Sequence, residues 1–92
     1  MTDILDQEWE PSPDAFANAV GEETVLLHVK RSVYYGMDPL GTRIWRALNE
    51  GRNTKETCRE IAAEHDVPVA QVEEDTRRFL EDLKANEIIV AK

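Results

Sequence analysis

The stretch Val33-Tyr34-Tyr35-Gly36-Met37-Asp38-Pro39-Leu40-Gly41-Thr42-Arg43-Ile44-Trp45-Arg46-Ala47-Leu48-Asn49-Glu50-Gly51 contains the change of period that decides the fold. Ser32 to Met37 is rich in β-branched and aromatic residues, the composition of a strand. Asp38 can then cap a helix, and Pro39 suits its first position because its φ is already set. Leu40, Ile44, Trp45 and Leu48 recur on one helical face, and Gly51 is placed to end the helix. The stretch reads as a strand running directly into an amphipathic helix.

Upstream, Ala15 to Val20 leads into the turn Gly21-Glu22-Glu23, and Thr24 to Lys30 alternates around Val25, Leu27 and Val29. That alternation predicts that Val25, Leu27 and Val29 face the core. Arg31-Ser32 is a tight connection to the third strand, so the three segments form an antiparallel meander. Tyr34 and Tyr35 point to opposite faces, and only one of them can face inward. Residues 1–13 are acidic, carry Pro11 and Pro13, and lack an apolar period. They are expected to form a flexible tail, in which Trp9 alone could dock, ahead of a folded domain over residues 14–92.

Downstream, a second helix begins near Asn53 or Thr54, with Glu56 in a capping-box position. Its expected buried stripe is Cys58, Ile61, Ala62 and His65. Pro68 opens a third helix whose apolar period is Val69, Val72, Thr76, Phe79, Leu80 and Leu83. Glu87-Ile88-Ile89-Val90 returns to the core as a strand or extended tail. The fold class is α+β: a winged helix-turn-helix-like domain with a three-stranded antiparallel sheet followed by three helices.

The chain has 92 residues, enough for one domain, with 41% hydrophobic and 33% charged residues. Nineteen acidic against 11 basic side chains give a net charge of -8. Duplex-binding domains carry the opposite balance, and the third helix sets Glu73, Glu74, Asp75, Glu81 and Asp82 against only Arg77, Arg78 and Lys84. No nucleic-acid partner is expected. Glu73 with Arg77 and Glu74 with Arg78 have the spacing of helical ion pairs, which leaves Asp75 and Asp82 for a basic partner.

No catalytic constellation stands out. The single cysteine, Cys58, cannot form an internal disulfide and lies on an apolar helical stripe, where it acts as a small hydrophobe. One cysteine and two distant histidines cannot supply a zinc site, and the four glycines form no phosphate loop. No cofactor or metal is expected, and the chain is expected to bind rather than convert. The acidic N-terminus is unlike a secretory signal, and no apolar run approaches the ~20 residues that span a bilayer. The protein is therefore expected to be cytoplasmic, with no membrane partner.

The segment Tyr34 to Gly51 resembles the core of the pyrroloquinoline quinone biosynthesis D-protein family, in which an aromatic-ended strand and a short polar turn lead to Gly-x-x-Ile-Trp. The run Val67, Val72, Asp75, Phe79, Leu80 and Leu83 is similar to that family's last helix, so the resemblance covers about residues 15–90. It departs at Pro68, where the family often has serine or threonine. The resemblance implies a recognition element for the leader of a ribosomally synthesised precursor peptide. With no enzyme fused to it, the expected type is the stand-alone one of lasso-peptide pathways. It implies that the leader adds as a strand to Ser32, Val33, Tyr34, Tyr35 and Gly36, in a groove walled by Val72, Asp75, Thr76 and Phe79, with Arg78 and Asp82 near the rim. The implied partners are the precursor leader, expected to carry a tyrosine and a proline, and the pathway's leader peptidase and cyclase. The alternatives are a peptide chaperone for a radical SAM enzyme in quinone-cofactor synthesis and, less well supported, a winged-helix DNA-binding regulator.

Overall fold

The structure, a computed structural model, describes residues 3–92. A three-stranded antiparallel sheet forms in the order β2 (Ala15–Val20), β3 (Glu23–His28), β4 (Val33–Met37). Three helices follow: α1 (Pro39–Asn49), α2 (Thr54–His65) and α3 (Val69–Ala85). This is the expected α+β arrangement. The turn into β3 uses Gly21 at φ 62°, and the turn into β4 uses Ser32 at φ 54°. Local chemistry sets the helix starts. Asp38 Oδ1 accepts from the Gly41 N–H at 2.7 Å, and Asn53 Oδ1 accepts from the Glu56 N–H at 3.0 Å. Pro68 begins α3 without a side-chain cap. No helix among the described residues is long and apolar enough to cross a membrane.

The core lies between the sheet and the helices. Leu26 and Met37 meet Ile44, Trp45 and Leu48 of α1, with Cys58 and Ile61 of α2 and Val72, Leu80 and Leu83 of α3 behind them. Buried polar groups are paired, as burial requires. The Thr24 and Thr42 hydroxyls lie 2.9 Å apart and tie β3 to α1.

Three expectations change. First, Thr24, Leu26 and His28 face the core, whereas Val25 and Val29 are exposed and Leu27 is half-buried. A strand of period two fits either parity, and a one-residue slip exchanges its faces. The α1 helix decides it: Thr24 finds Thr42, and His28 Nδ1 accepts the Arg31 N–H of the following turn at 3.3 Å. Second, the stripe of α2 is Thr57, Cys58, Ile61 and Ala62, while His65 is exposed where the helix ends in left-handed Asp66.

Third, the segment expected to be a flexible tail is packed, apart from residues 1–2, which lie outside the described residues. Ile4–Asp6 forms a turn of 3₁₀ helix, and β1 (Trp9–Pro11) pairs antiparallel with β5 (Ile89–Ala91). Ile4, Leu5 and Trp9 are buried, and Trp9 Nε1–H donates to the Ile4 carbonyl at 3.0 Å. Arg77 Nη2 donates to Asp3 Oδ2 at 2.7 Å, and Arg77 Nε reaches both carboxylate oxygens. The Arg77 guanidinium, helped by the Leu5 N–H, holds the Asp3 carboxyl down to about 2. The partners of this segment lie on α1, α2, α3 and β5, far along the chain, so no local period announces it.

Candidate functional site

β4 pairs with β3 on one side only, and no strand covers its other edge among the described residues. Alternate residues of such an edge present unpaired N–H and C=O groups. Beside it runs α3, and Tyr35 bridges the two. Its ring centroid lies 6.4 Å from that of Phe79 in a tilted arrangement, and its hydroxyl donates to Asp82 Oδ2 at 2.5 Å. Burial, and then the Asp82 carboxylate, push the Tyr35 phenol above its ordinary range, so it remains a donor at neutral pH. Phe79 is seated by Gly41: a Cβ there would lie 3.3 Å from two Phe79 ring carbons and from Asp38 Oδ1. The glycine thus lets the first turn of α1 close on α3.

Tyr35, Phe79 and Asp82 come together between β4 and α3, the two rings half-buried and Asp82 exposed. Tyr34 points the other way and is 75% exposed; Ser32 and Gly36 are exposed, and Val33 is half-buried. Val72 and Asp75 line a separate cavity of about 690 Å³ beyond the Met37 end of β4. Leu40, Ile61 and Val67 contribute its apolar lining, and Arg43, Arg46 and His65 stand around it. Thr76 does not reach the groove. It is buried in the α2–α3 seam, where its hydroxyl donates to the Val72 carbonyl at 2.7 Å and receives the Cys58 thiol at 3.4 Å.

The charges of α3 also pair differently from the expected pattern. Arg77 approaches Glu73 at 4.0 Å and Glu74 at 3.6 Å besides Asp3, and Arg78 pairs with Asp75. Asp75 and Asp82 are therefore both engaged, and Glu74 does not reach Arg78. The sequence reading missed Asp38 and Leu40 as cavity residues; both lie in the strand-to-helix stretch, where capping and core roles accounted for them. Burial pushes the Cys58 thiol up, away from the thiolate a nucleophile needs. No group of three or more His, Cys, Asp or Glu among the described residues could hold a metal ion.

Residues 23–89 match the family described as coenzyme PQQ synthesis protein D (PqqD). The chain belongs to the PqqD family. The match runs from the first residue of β3 to the first residue of β5, so it includes both the open β4 edge and α3. Among solved structures, the chain is 36% identical to the one described as TbiB1 in complex with the TbiA(beta) leader peptide. The TM-score is 0.80, with 87% of this chain and 93% of that chain covered. A lasso peptide synthetase B1 complexed with the leader peptide gives a TM-score of 0.83 over 90% of this chain and 98% of that chain. At 19% identity the second likeness is one of fold. No curated protein matches the chain.

Proposed function

We propose that this PqqD-family domain binds the leader of a ribosomally synthesised precursor peptide and delivers it to the leader peptidase and cyclase of a lasso-peptide pathway. The observation that carries the reading is the open edge of β4 lying beside α3, with Tyr35 and Phe79 between them. A leader adding to Ser32–Gly36 would gain backbone hydrogen bonds along the strand. One set of its side chains would meet Tyr35 and Phe79, and the alternate set would emerge on the side of Tyr34. The 36% identity to TbiB1, described in complex with a leader peptide, supports the same ligand class. The net charge of -8 favours a leader with basic residues. The domain is non-catalytic in this reading; its one thiol is buried and held by Thr76.

The family description also favours a second reading, a peptide chaperone in quinone-cofactor synthesis that serves a radical SAM enzyme. The binding edge would be the same, and the precursor would differ.

Fluorescence polarisation with labelled leader peptides tests both. The lasso precursor's leader should saturate the domain, and Tyr35→Ala and Phe79→Ala, checked for folding by circular dichroism, should each weaken binding about tenfold, as loss of a buried aromatic anchor does. Asp75→Ala should weaken it less, because Asp75 lies at the cavity and is already paired with Arg78. Binding unaffected by both aromatic changes would refute the groove. Saturation by the quinone-cofactor precursor and not by the lasso leader would favour the second reading.

A further inference from the structure

The sheet has a second open edge, at β2, with which no strand pairs among the described residues. The backbone groups that face this edge follow from the pairing on the other side. The Val29 N–H donates to the Asp14 carbonyl at 2.9 Å, and the Gly21-Glu22 turn, with Gly21 at φ 62°, closes Val20 on Glu23. Phe16, Asn18 and Val20 are therefore bonded to β3, and Ala17 and Ala19 turn their N–H and C=O groups to the open side. The N–H of Ala15 is taken by the Ser12 carbonyl at 3.0 Å.

This edge carries none of the devices that keep an open strand single. β2 reads Ala-Phe-Ala-Asn-Ala-Val over Ala15–Val20, six residues with no charge and no proline, in a chain whose residues are 33% charged. Its register with β3 is unbroken, so no bulge turns it away. Its helix-side residues are all alanine. Ala17 and Ala19 are exposed and line an open hollow of about 300 Å³ against Trp45, Arg46 and Asn49 of α1. Larger side chains would close that hollow; alanine leaves the approach to the backbone clear.

We infer that this edge is a self-association site, at which β2 pairs antiparallel with β2 of a second copy about a two-fold axis at Asn18. The free groups select the register. With Ala17 opposite Ala19 of the second copy, and the reverse, every free N–H and C=O of both residues is bonded. Pairing Ala17 with Ala17 would instead set Ala19 against Ala15, whose N–H is already used, and pairing Ala19 with Ala19 would set Ala17 against the Gly21 turn. The selected register also sets Phe16, 61% exposed, against Val20, 59% exposed, on both sides of the axis. An aromatic–β-branched pair is a favourable cross-strand contact, and the facing Asn18 amides can hydrogen-bond.

Charge supports a second copy as the occupant. Lys30, with its side chain 77% exposed beyond a 3.7 Å contact to Asp14, stands at the Ala15 end of the strand, and Glu22 and Glu23 stand exposed at the Val20 end. Antiparallel pairing brings each lysine beside the other copy's glutamates, and so offsets the approach of Asp14 to Glu22. Six residues a side is far below the ~20–30 of a standard interface, so the dimer is weak and concentration-dependent. β4 stays open in each copy, the two β4 strands lying at opposite ends of one continuous sheet, ~24 Å apart at ~4.8 Å per strand. The inference does not rest on the leader-binding reading, and it leaves that site free.

The test is sedimentation equilibrium of the full chain from about 10 µM to about 1 mM, at ~0.15 M salt to screen the net charge of -8 on each copy. Asn18 is exposed. Asn18→Lys and Asn18→Asp each place like charges opposite one another across the axis and should each weaken the dimer about tenfold. An equimolar mixture of the two should restore it, because the charges then face as opposites. Ala17→Pro removes an edge N–H without touching the β3 ladder, and should also weaken the dimer in a chain that circular dichroism shows to be folded. Leader affinity, read by fluorescence polarisation, should be unchanged throughout. A wild-type chain that stays monomeric at ~1 mM overturns the proposal. A dimer unmoved by all three changes lies elsewhere on the surface and overturns it too. Variants that dissociate but fail to recombine on mixing overturn the register. Loss of leader binding by the folded Ala17→Pro chain would assign the edge to the leader and overturn the second copy as its occupant.

Discussion

Trp9→Ala tests the least expected part of the fold, the anchoring of the N-terminal segment. Trp9 is 7% exposed, packs within the common core, donates its indole N–H to the Ile4 carbonyl at 3.0 Å and lies 5.9 Å beneath Lys84 Nζ. Truncating a buried tryptophan to alanine costs about 3–5 kcal/mol. Total stability at ~0.05–0.15 kcal/mol per residue is roughly 5–14 kcal/mol for a chain of 92 residues. The substitution should thus remove about a fifth of the stability or more, and lower Tm by about 12 °C or more at ~4 °C per kcal/mol for a domain of this size. Trp9→Phe keeps most of the apolar area and loses the indole hydrogen bond, so it should cost only about 1–2 kcal/mol. Urea denaturation followed by far-ultraviolet circular dichroism measures both, and a constant slope confirms that the unfolding reaction is unchanged. A loss below about 0.5 kcal/mol for Trp9→Ala, the figure of an ordinary surface change, would refute the anchoring and restore a loose tail.

Two further outcomes follow from the titratable groups. Asp3 is ionised down to about pH 2 in the folded chain against an ordinary value of 3.8, so its contribution is fully present above 3.8 and disappears as pH falls toward 2. The stability advantage of wild type over Asp3→Asn, read from urea midpoints, should therefore be flat above pH 5 and shrink between about pH 4 and 2; an advantage independent of pH would contradict the Asp3–Arg77 pairing. Tyr35 titrates above its ordinary value of 10.0 because of burial and Asp82, so in a Tyr34→Phe background the phenolate absorbance near 295 nm should rise only beyond that pH, and Asp82→Asn should bring it back down. A Tyr35 transition at the ordinary value would show that the bridge to α3 is open in solution.

Residues 33–51 determine the heart of this protein on their own, because strand composition, cap, proline and helical period all act within a few residues of one another. Asp38 caps α1 and the sheet precedes three helices, as that stretch implies. The family resemblance carried by the same residues extends to the open β4 edge. Two things were legible only in part. Tyr35 and Phe79 were both candidates, yet the choice of Tyr35 over Tyr34 depended on which face α1 and α3 cover. Thr76 followed the right helical period but belongs to the α2 side of α3, where its hydroxyl accepts from the Cys58 thiol.

The rest was decided by contacts between distant segments. The parity of β3, equally allowed both ways by alternation, was set when Thr24 met Thr42. The place of Trp9 was set by β5 and Lys84, more than 70 residues on, and that of Asp3 by Arg77. A period read along the chain reports what a residue's immediate neighbours favour, whereas burial of an isolated side chain depends on which surface the rest of the chain brings to it.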